Sequence, residues 1–437
     1  EDRLDGLLME ISRSSEHDAQ RFRPIAAQWR LIIQNYIRDL TETAEARQEI
    51  DSPYITGIPL TDQQAIFVGR TDISAKIEQL IADRRRPPLL LYGQRRMGKT
   101  SLLLNLRRLL PTTIVPLYID LQGAPSQASN DSGFLYNLAR NMIKAAKSHD
   151  GLLLPPLSRD DLAQDPFPQF DEWLDSVERV IGNNTLLLLL DEFEALDHAL
   201  NSGRFDPTLV LGMLRHLIQH RQRFKVLLAG SHTLDELHRW SSYFINVQVV
   251  KIDYLHEFEA RQLIEHPVAD FSLRYKPAAS QRVWDLTRGH PFLIQLLCEE
   301  IVALKNQQDP SQRRLANLVD VEAAIPQALD HGRLFFDDIQ HNQLVQRDVD
   351  FLCYLAAQGG GAVISQEAVD TWMRQSKDAS KTLATLLQRD LIEPSNGGYR
   401  FQVELIRRWF AQQSQQPQVG PLKTPNSTQL QQDVTLV

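Results

Sequence analysis

The sequence predicts an α/β fold, with a parallel sheet covered by helices and two smaller, mostly helical units after it. Three observations carry this. Apolar, strand-like runs alternate with helix-like stretches from residue 65 to about 255. Residues 256–333 show helical periodicity throughout, and residues 345–412 read as short helices followed by a hairpin. Strands separated by helices form parallel sheets buried on both faces.

Bulk properties narrow the function classes. The 437 residues carry a net charge of -8, so no global basic field draws the chain to nucleic acid. Cys298 and Cys353 both sit in apolar, helix-like segments, which reads as buried thiols in a reducing compartment and not as a disulfide or metal site. No apolar run reaches the ~18–20 residues that span a bilayer, and no leader is recognisable. The expected location is the cytoplasm. The chain starts at Glu1 inside a helix-like pattern, as expected for a piece of a longer protein.

Residues 1–50 form the first expected segment. Ile25, Trp29, Ile32, Tyr36 and Leu40 recur at spacings of three and four, on one helix face, with Pro24 placed for a helix start. Such a stripe needs cover from the rest of the chain or from an upstream domain. DSPYITGIPLTDQQ (51–64) has no period and reads as an extended connector.

The nucleotide domain is expected over 51–255. Its strands are PPLLLYG (87–93), TTIVPLYIDL (112–121), TLLLLLDEF (185–193) and FKVLLAGS (224–231). GFLYNLARNMIKAAK (133–147) and TLVLGMLRHLIQH (208–220) are helix-like. Ligands of such sheets bind beyond the carboxyl ends of the strands.

GQRRMGKT (93–100) fits G-x-x-x-x-G-K-[ST] between a strand and a helix, the context that gives the motif its meaning. Gly93 and Gly98 let the backbone curl so that successive N–H groups face inward. The helix starting near Lys99 adds a positive dipole end for phosphate. Lys99 offers a point charge to the β- and γ-phosphates, and Thr100 offers its hydroxyl to Mg²⁺. The nucleotide contacts expected here are Gly93, Met97, Gly98, Lys99, Thr100 and Ser101. Arg95 and Arg96 are expected on the outer face of the loop, because Lys99 already supplies the cation.

LLLLLDEFEAL (186–196) ends a buried strand in two acids. Asp191 suits the Mg²⁺ shell and Glu192 the activation of a water, while Glu194 reads as a surface residue. KVLLAGSH (225–232) ends in Gly230-Ser231-His232, and Ser231 is the residue expected beside the γ-phosphate. His216 and His220 are four apart on a helix, but no third ligand is evident and a solvated face is the better reading.

Two further motifs, VGR (68–70) ahead of the loop strand and GHP (289–291) at a helix start, complete a series with GQRRMGKTSLL, LLLLLDEFEAL and VLLAGS. The series resembles the STAND-type signal-transduction ATPases, relatives of the AAA+ and archaeal ATPases, over roughly 65–412. GGYRFQVELIRRWF resembles the last strand and helix of their winged-helix domain.

The resemblance implies a layout: the nucleotide domain, a helical lid (256–333), a winged helix (334–412) and a disordered tail (413–437). It implies that Val68, Gly69 and Arg70 border the adenine and that Pro291 caps the base from the lid. It also implies ATP or ADP with Mg²⁺, slow hydrolysis, self-association in the ATP state, an attached effector or sensor, and a role in bacterial or archaeal defence or signalling. AAA+ hydrolysis often uses an arginine from a neighbouring subunit. Arg204, Arg215, Arg221, Arg223 and Arg239 lie in the right region, and no motif singles one out.

The alternative is a DNA-binding loader or transposition-type ATPase that sets its winged helix on duplex DNA. Lys377, Lys381 and Arg389 are the cations of the recognition-type helix, beside Asp378 and Asp390. Residues 335–415 hold eight Lys/Arg against ten Asp/Glu, a poor match to a phosphate backbone. A locking role is the better reading, with Arg407-Arg408 and Trp409-Phe410 on a helix with one buried face.

Overall fold

A computed structural model describes residues 9, 17–83, 87–149, 151–231, 238–244, 246–374 and 379–413. His232, Lys377, Asp378 and the tail from 414 lie outside them. The chain divides into two compact units, Glu1–Ala328 and Leu329–Val437.

The first unit opens with α1 (His17–Arg47). Pro24 lies inside this helix and not at its start. The expected cover for its apolar stripe is absent among the described residues: Ile25, Trp29, Ile32 and Tyr36 are 47%, 61%, 57% and 63% exposed. Helical spacing fixes which residues share a face, but not what lies against it.

Five strands build the sheet: β1 (Leu89–Tyr92), β2 (Ile114–Asp120), β3 (Thr185–Asp191), β4 (Phe224–Gly230) and β5 (Gln248–Lys251). All neighbours are parallel, in the order β2-β3-β4-β1-β5. The expected strands are all present. β5 is an addition, because its four residues QVVK alternate too briefly to stand out. Eight helices accompany the sheet: α2 (Thr71–Ala82), α3 (Lys99–Leu109), α4 (Ala124–Gln127), α5 (Asp131–Ala146), α6 (Pro166–Ile181), α7 (Phe193–Asn201), α8 (Pro207–His220) and α9 (His238–Tyr243).

The leucine run of β3 shows why the sheet is buried on both faces. Leu186, Leu188 and Leu190 join one core with residues of α5, α6 and α8. Leu187 and Leu189 join the other with residues of α2 and α3. Period-two alternation sends neighbours to opposite faces, so a run without polar breaks demands helices on both. Each buried leucine contributes about 1.5–3 kcal/mol. Pairing of Tyr92 with Gly230 and of Asp191 with Ala229 brings the ends of β1, β3 and β4 to one edge.

The helical region of this unit holds α10 (Glu257–Glu265), α11 (Pro277–Thr287), α12 (Pro291–Gln307), α13 (Pro310–Arg313) and α14 (Leu318–His331). It is not all-helical as expected: β6 (Arg274–Tyr275) pairs in parallel with β7 (Leu315–Ala316). A buried ion pair, Lys305 Nζ to Asp320 Oδ2 at 3.1 Å, joins α12 to α14. Cys298 on α12 is buried, and its thiol is pushed up to about 12 by that burial.

The second unit runs α15 (Arg333–Asp338), α16 (Gln346–Ala357), β8 (Ile364–Ser365), α17 (Gln366–Arg374), α18 (Ala379–Gln388), β9 (Ile392–Ser395), β10 (Gly398–Phe401) and α19 (Glu404–Gln413). Its antiparallel sheet has the order β8-β10-β9, with Asn396 and Gly397 at the hairpin turn. Trp409 and Phe410 are buried, and Trp409 stacks on Phe336 at 5.1 Å. Arg407 donates to Ala356 O at 3.0 Å, so α19 is locked to α16. Cys353 is only half-buried, against expectation. Among the described residues no helix is long and apolar enough to cross a membrane.

Candidate nucleotide-binding site

The loop from Gly93 to Thr100 links β1 to α3 at the edge where the strand ends converge. Gly98 caps α3 with φ 87°, a left-handed backbone that suits glycine. Lys99 is 6% exposed, and Nζ donates to Gly93 O at 2.8 Å and Gln94 O at 3.0 Å. The loop thus folds back on its own lysine. Burial lowers the Lys99 pKa, opposed by the charges of Glu192, Glu194 and Asp191.

Asp191 closes the site from β3. It is 1% exposed, and its Oδ2 accepts from Thr100 Oγ1 at 2.7 Å and from Tyr118 OH at 3.2 Å. Burial raises its pKa, against the hydrogen bonds that favour the carboxylate. Glu192 follows in a left-handed conformation, φ 52°, and caps α7. Its pKa is raised by burial, then by Glu194 and Asp191. The donors at this corner are all oxygens, a set suited to a hard cation such as Mg²⁺.

Ser231 and Glu194 form a pair that sequence reading missed. The Ser231 backbone N–H and hydroxyl both donate to Glu194 Oε1, the latter at 3.3 Å. Glu194 is therefore half-buried and ties α7 to the end of β4, a correction of its surface reading.

The connector 51–64 is a strap across the cleft. Its Ile55 N–H donates to Gln295 Oε1 at 3.2 Å, and Thr56 Oγ1 donates to Glu299 Oε2 at 2.9 Å, both on α12. At the other end the Leu60 N–H donates to Ser101 Oγ at 3.0 Å, and Asn105 Nδ2 donates to Leu60 O at 3.1 Å. Ser101 thus presents its hydroxyl to the strap.

Two arginines join the same elements. Arg70, 5% exposed, donates from Nη1 to Asp253 O at 2.6 Å and from Nη2 to Met97 O at 3.1 Å. Its backbone N–H donates to Glu259 Oε1 of α10 at 2.9 Å. Gly69 precedes it at φ 73°, and a Cβ there would overlap the Glu259 carboxylate. Arg96 is exposed, as expected of the outer face of the loop, and it has partners there: Nη1 donates to Gly57 O at 3.1 Å, and the guanidinium lies 5.3 Å from the centre of the Phe292 ring. The left-handed backbone of Arg96, φ 64°, turns the loop tip at this point.

These elements enclose a cavity of 390 Å³, within the range of small-molecule sites. Val68, Arg70, Met97, Gly98, Lys99, Thr100, Ser101, Glu192 and Pro291 line it. Met97 contributes its backbone there, since its side chain is buried in the core with α2 and α3. Gly69, Gly93, Asp191 and Ser231 stand behind the lining. Its apolar lining includes Ile55, Ile58, Leu60, Val68, Leu263 and Pro291, side chains that suit contact with an aromatic base. His290 caps α12 behind it, and burial drives its pKa down to about 3.

Residues 82–238 match the family described as AAA domain. The structure is similar to a Walker-type ATPase of Pyrococcus abyssi, with TM-score 0.55 and 14% identity over 82% of this chain and 99% of that one. Residues 82–238 are thus similar to an AAA domain, and the likeness to the solved structure is one of fold. A STAND protein of Pyrococcus horikoshii with a tetratricopeptide repeat sensor aligns with TM-score 0.36 and 16% identity, over 82% of this chain and 44% of that one. The ORC2 protein of Aeropyrum pernix, solved in ADPNP–ADP complexes, aligns with TM-score 0.49 and 15% identity, over 83% and 97%. A comparison with curated protein sequences finds no match.

Arg204, Arg215, Arg221 and Arg223, four of the five candidate finger arginines, have local partners. Arg204 donates to Ser126 O at 2.8 Å, and Arg221 pairs with Asp171 at 2.6 Å and Asp175 at 2.9 Å. Arg223 donates to Asn183 O at 2.8 Å, and Arg215 to Gln219 Oε1 at 3.4 Å. Arg239 is half-buried. His216 and His220 stack at 4.8 Å, and no group of three metal-ligating side chains occurs among the described residues.

Proposed function

We propose that the protein is an ATP/ADP-binding switch of the signal-transduction ATPase type, in which nucleotide exchange and slow hydrolysis control self-association or an attached effector. The observation that carries this reading is the direct bonding of strap, loop and α10 around one cavity. Arg70 bonds to Met97 O in the loop and to Glu259 on α10, while Arg96 reaches the strap and Phe292. A ligand seated there would touch the strap, the phosphate loop, α10 and the start of α12.

The residues divide the work. Loop N–H groups and the start of α3 receive the phosphates. Lys99 exchanges its two loop carbonyls for phosphate oxygens. Thr100 and Asp191, already bonded to each other, would hold Mg²⁺, which would supply charge neutralisation to the phosphates. Glu192, with its pKa raised, is the base that orients and deprotonates a water. Ser231, fixed by Glu194, borders the γ-phosphate from the end of β4. Val68, Arg70 and Pro291 flank the base. The second unit has the helix and hairpin order of a winged helix and serves as a lock. What favours the lock over DNA binding is the sparse charge of the described recognition-type helix: Lys381 is the one cation of α18, and Arg389 donates to Gln343 Oε1 at 3.4 Å.

The test is nucleotide content and exchange. Purified protein is expected to carry ADP, and Mg²⁺-ATP is expected to replace it and change the mass seen by light scattering. Protein that neither carries nor binds ADP or ATP would overturn the reading.

A further inference from the structure

β2 was expected to supply only a strand, yet one of its side chains reaches the acidic corner. Val115, Leu117 and Ile119 of β2 point into the core shared with α5 and α6, and Tyr118 points to the opposite face. In register Tyr118 lies beside Leu189, two residues before Asp191 on the neighbouring strand. The length of the tyrosine ring spans that offset, and its hydroxyl reaches Asp191 Oδ2 at 3.2 Å. Thr100 Oγ1 reaches the same oxygen at 2.7 Å from α3, and the Glu192 N–H reaches Oδ1 at 3.1 Å.

Three donors from three elements therefore fix the carboxylate. The Tyr118 phenol stays protonated, because burial and the nearby Asp191 charge raise its pKa. Tyr118 also approaches from behind. It lines a separate cleft of 490 Å³ with Leu104, Asn141 and His149, and it does not line the nucleotide cavity.

We infer that Tyr118 is a positioning residue for the metal-binding carboxylate: its hydroxyl holds Asp191 Oδ2 in the orientation that lets Asp191 and Thr100 act on one cation. This rests on the Mg²⁺-nucleotide reading above. A residue that only filled space would need the ring and not the hydroxyl. A residue that bound nucleotide directly would line the cavity.

The experiment titrates Mg²⁺ into the full chain with a fluorescent, non-hydrolysable ATP analogue, comparing wild type with Tyr118→Phe and Tyr118→Leu. Thermal melting of each variant is the stability control. Loss of one charge-assisted hydrogen bond should raise the half-saturating Mg²⁺ concentration roughly 10-fold in both variants. Affinity for the analogue in EDTA should stay within about twofold, as for a group outside the cavity. Tyr118→Leu, which also loses the ring, should melt lower without moving the Mg²⁺ curve further. An unchanged Mg²⁺ curve in Tyr118→Phe beside a clear wild-type dependence would overturn the inference. So would a shift in Tyr118→Leu alone, which would assign the effect to packing. A wild-type chain that binds the analogue equally with and without Mg²⁺ would instead overturn the metal reading, and the inference with it.

Discussion

Arg70 and Glu259 meet beside the candidate nucleotide cavity, which Arg70 lines: the Arg70 backbone N–H donates to Glu259 Oε1 at 2.9 Å. The other oxygen of that carboxylate accepts the His256 N–H at 2.9 Å, capping α10. One buried side chain thus fastens the start of α10 to the segment that borders the base. Hydrogen bonds to a charged group contribute about 1.5–3 kcal/mol. Glu259→Ala should therefore loosen α10 and speed release of a fluorescent ADP analogue roughly 10-fold or more. Stopped-flow release measures this, and an unchanged rate would show that the Arg70–Glu259 contact does not hold the cavity closed.

Lys99 and Glu192 should separate binding from chemistry. Lys99→Ala removes the point charge of the loop and should weaken ATP binding by at least about 100-fold, by calorimetry. Glu192→Gln keeps the shape but not the base, so ATP should still bind while turnover falls about 10²- to 10⁴-fold. Equal turnover in Glu192→Gln and wild type would remove Glu192 from the mechanism.

The strap should govern exchange. Asn105→Ala leaves the buried Leu60 carbonyl without its side-chain donor, at a cost of about 1–3 kcal/mol. The variant should melt several degrees lower and exchange nucleotide faster, while Arg179→Ala, whose guanidinium bonds to Asp175 and Ser176 of its own helix α6, should not accelerate exchange. If both variants exchange alike, the strap is a passive connection.

His290 predicts a pH dependence. Its folded pKa is driven down to about 3 by burial, with the Arg70 charge acting the same way. An unfolded histidine titrates near pH 6.5. Between those values the unfolded chain binds a proton that the native chain does not. Stability is therefore full above about pH 6.5 and falls as pH drops towards 3, by up to about 1.4 kcal/mol per unit. His290→Asn keeps a side-chain acceptor for the helix cap but cannot titrate. Its denaturation midpoint should vary less with pH in this window, and identical profiles would contradict the assignment.

Much of the site was readable in order along the chain. The loop 93–100, the acids at 191 and 192 and the end of β4 at 231 were legible as candidates because each is a short local motif at the end of an apolar strand. β5 was not legible, since four alternating residues carry too little periodicity. The partner of Glu194 was not legible either. Its contact with Ser231 joins residues 37 apart, and only strand order brings them together. The exposure of Arg96 was legible but its partners were not, because a loop sequence does not reveal that its tip turns, at φ 64°, towards Gly57 and Phe292.

The sequence by itself determined the alternating layers, the loop that fits phosphate and the carboxylate opposite it. These follow from local rules: period, turn chemistry and spacing. The tertiary structure alone decided what surrounds them. It set the order β2-β3-β4-β1-β5, which puts Tyr118 beside Asp191. It folded residues 51–64 over the cavity and left Trp29 and Tyr36 exposed. Each of those outcomes depends on contacts between residues far apart in sequence, whose energy is set by which surfaces meet and not by the composition of either one.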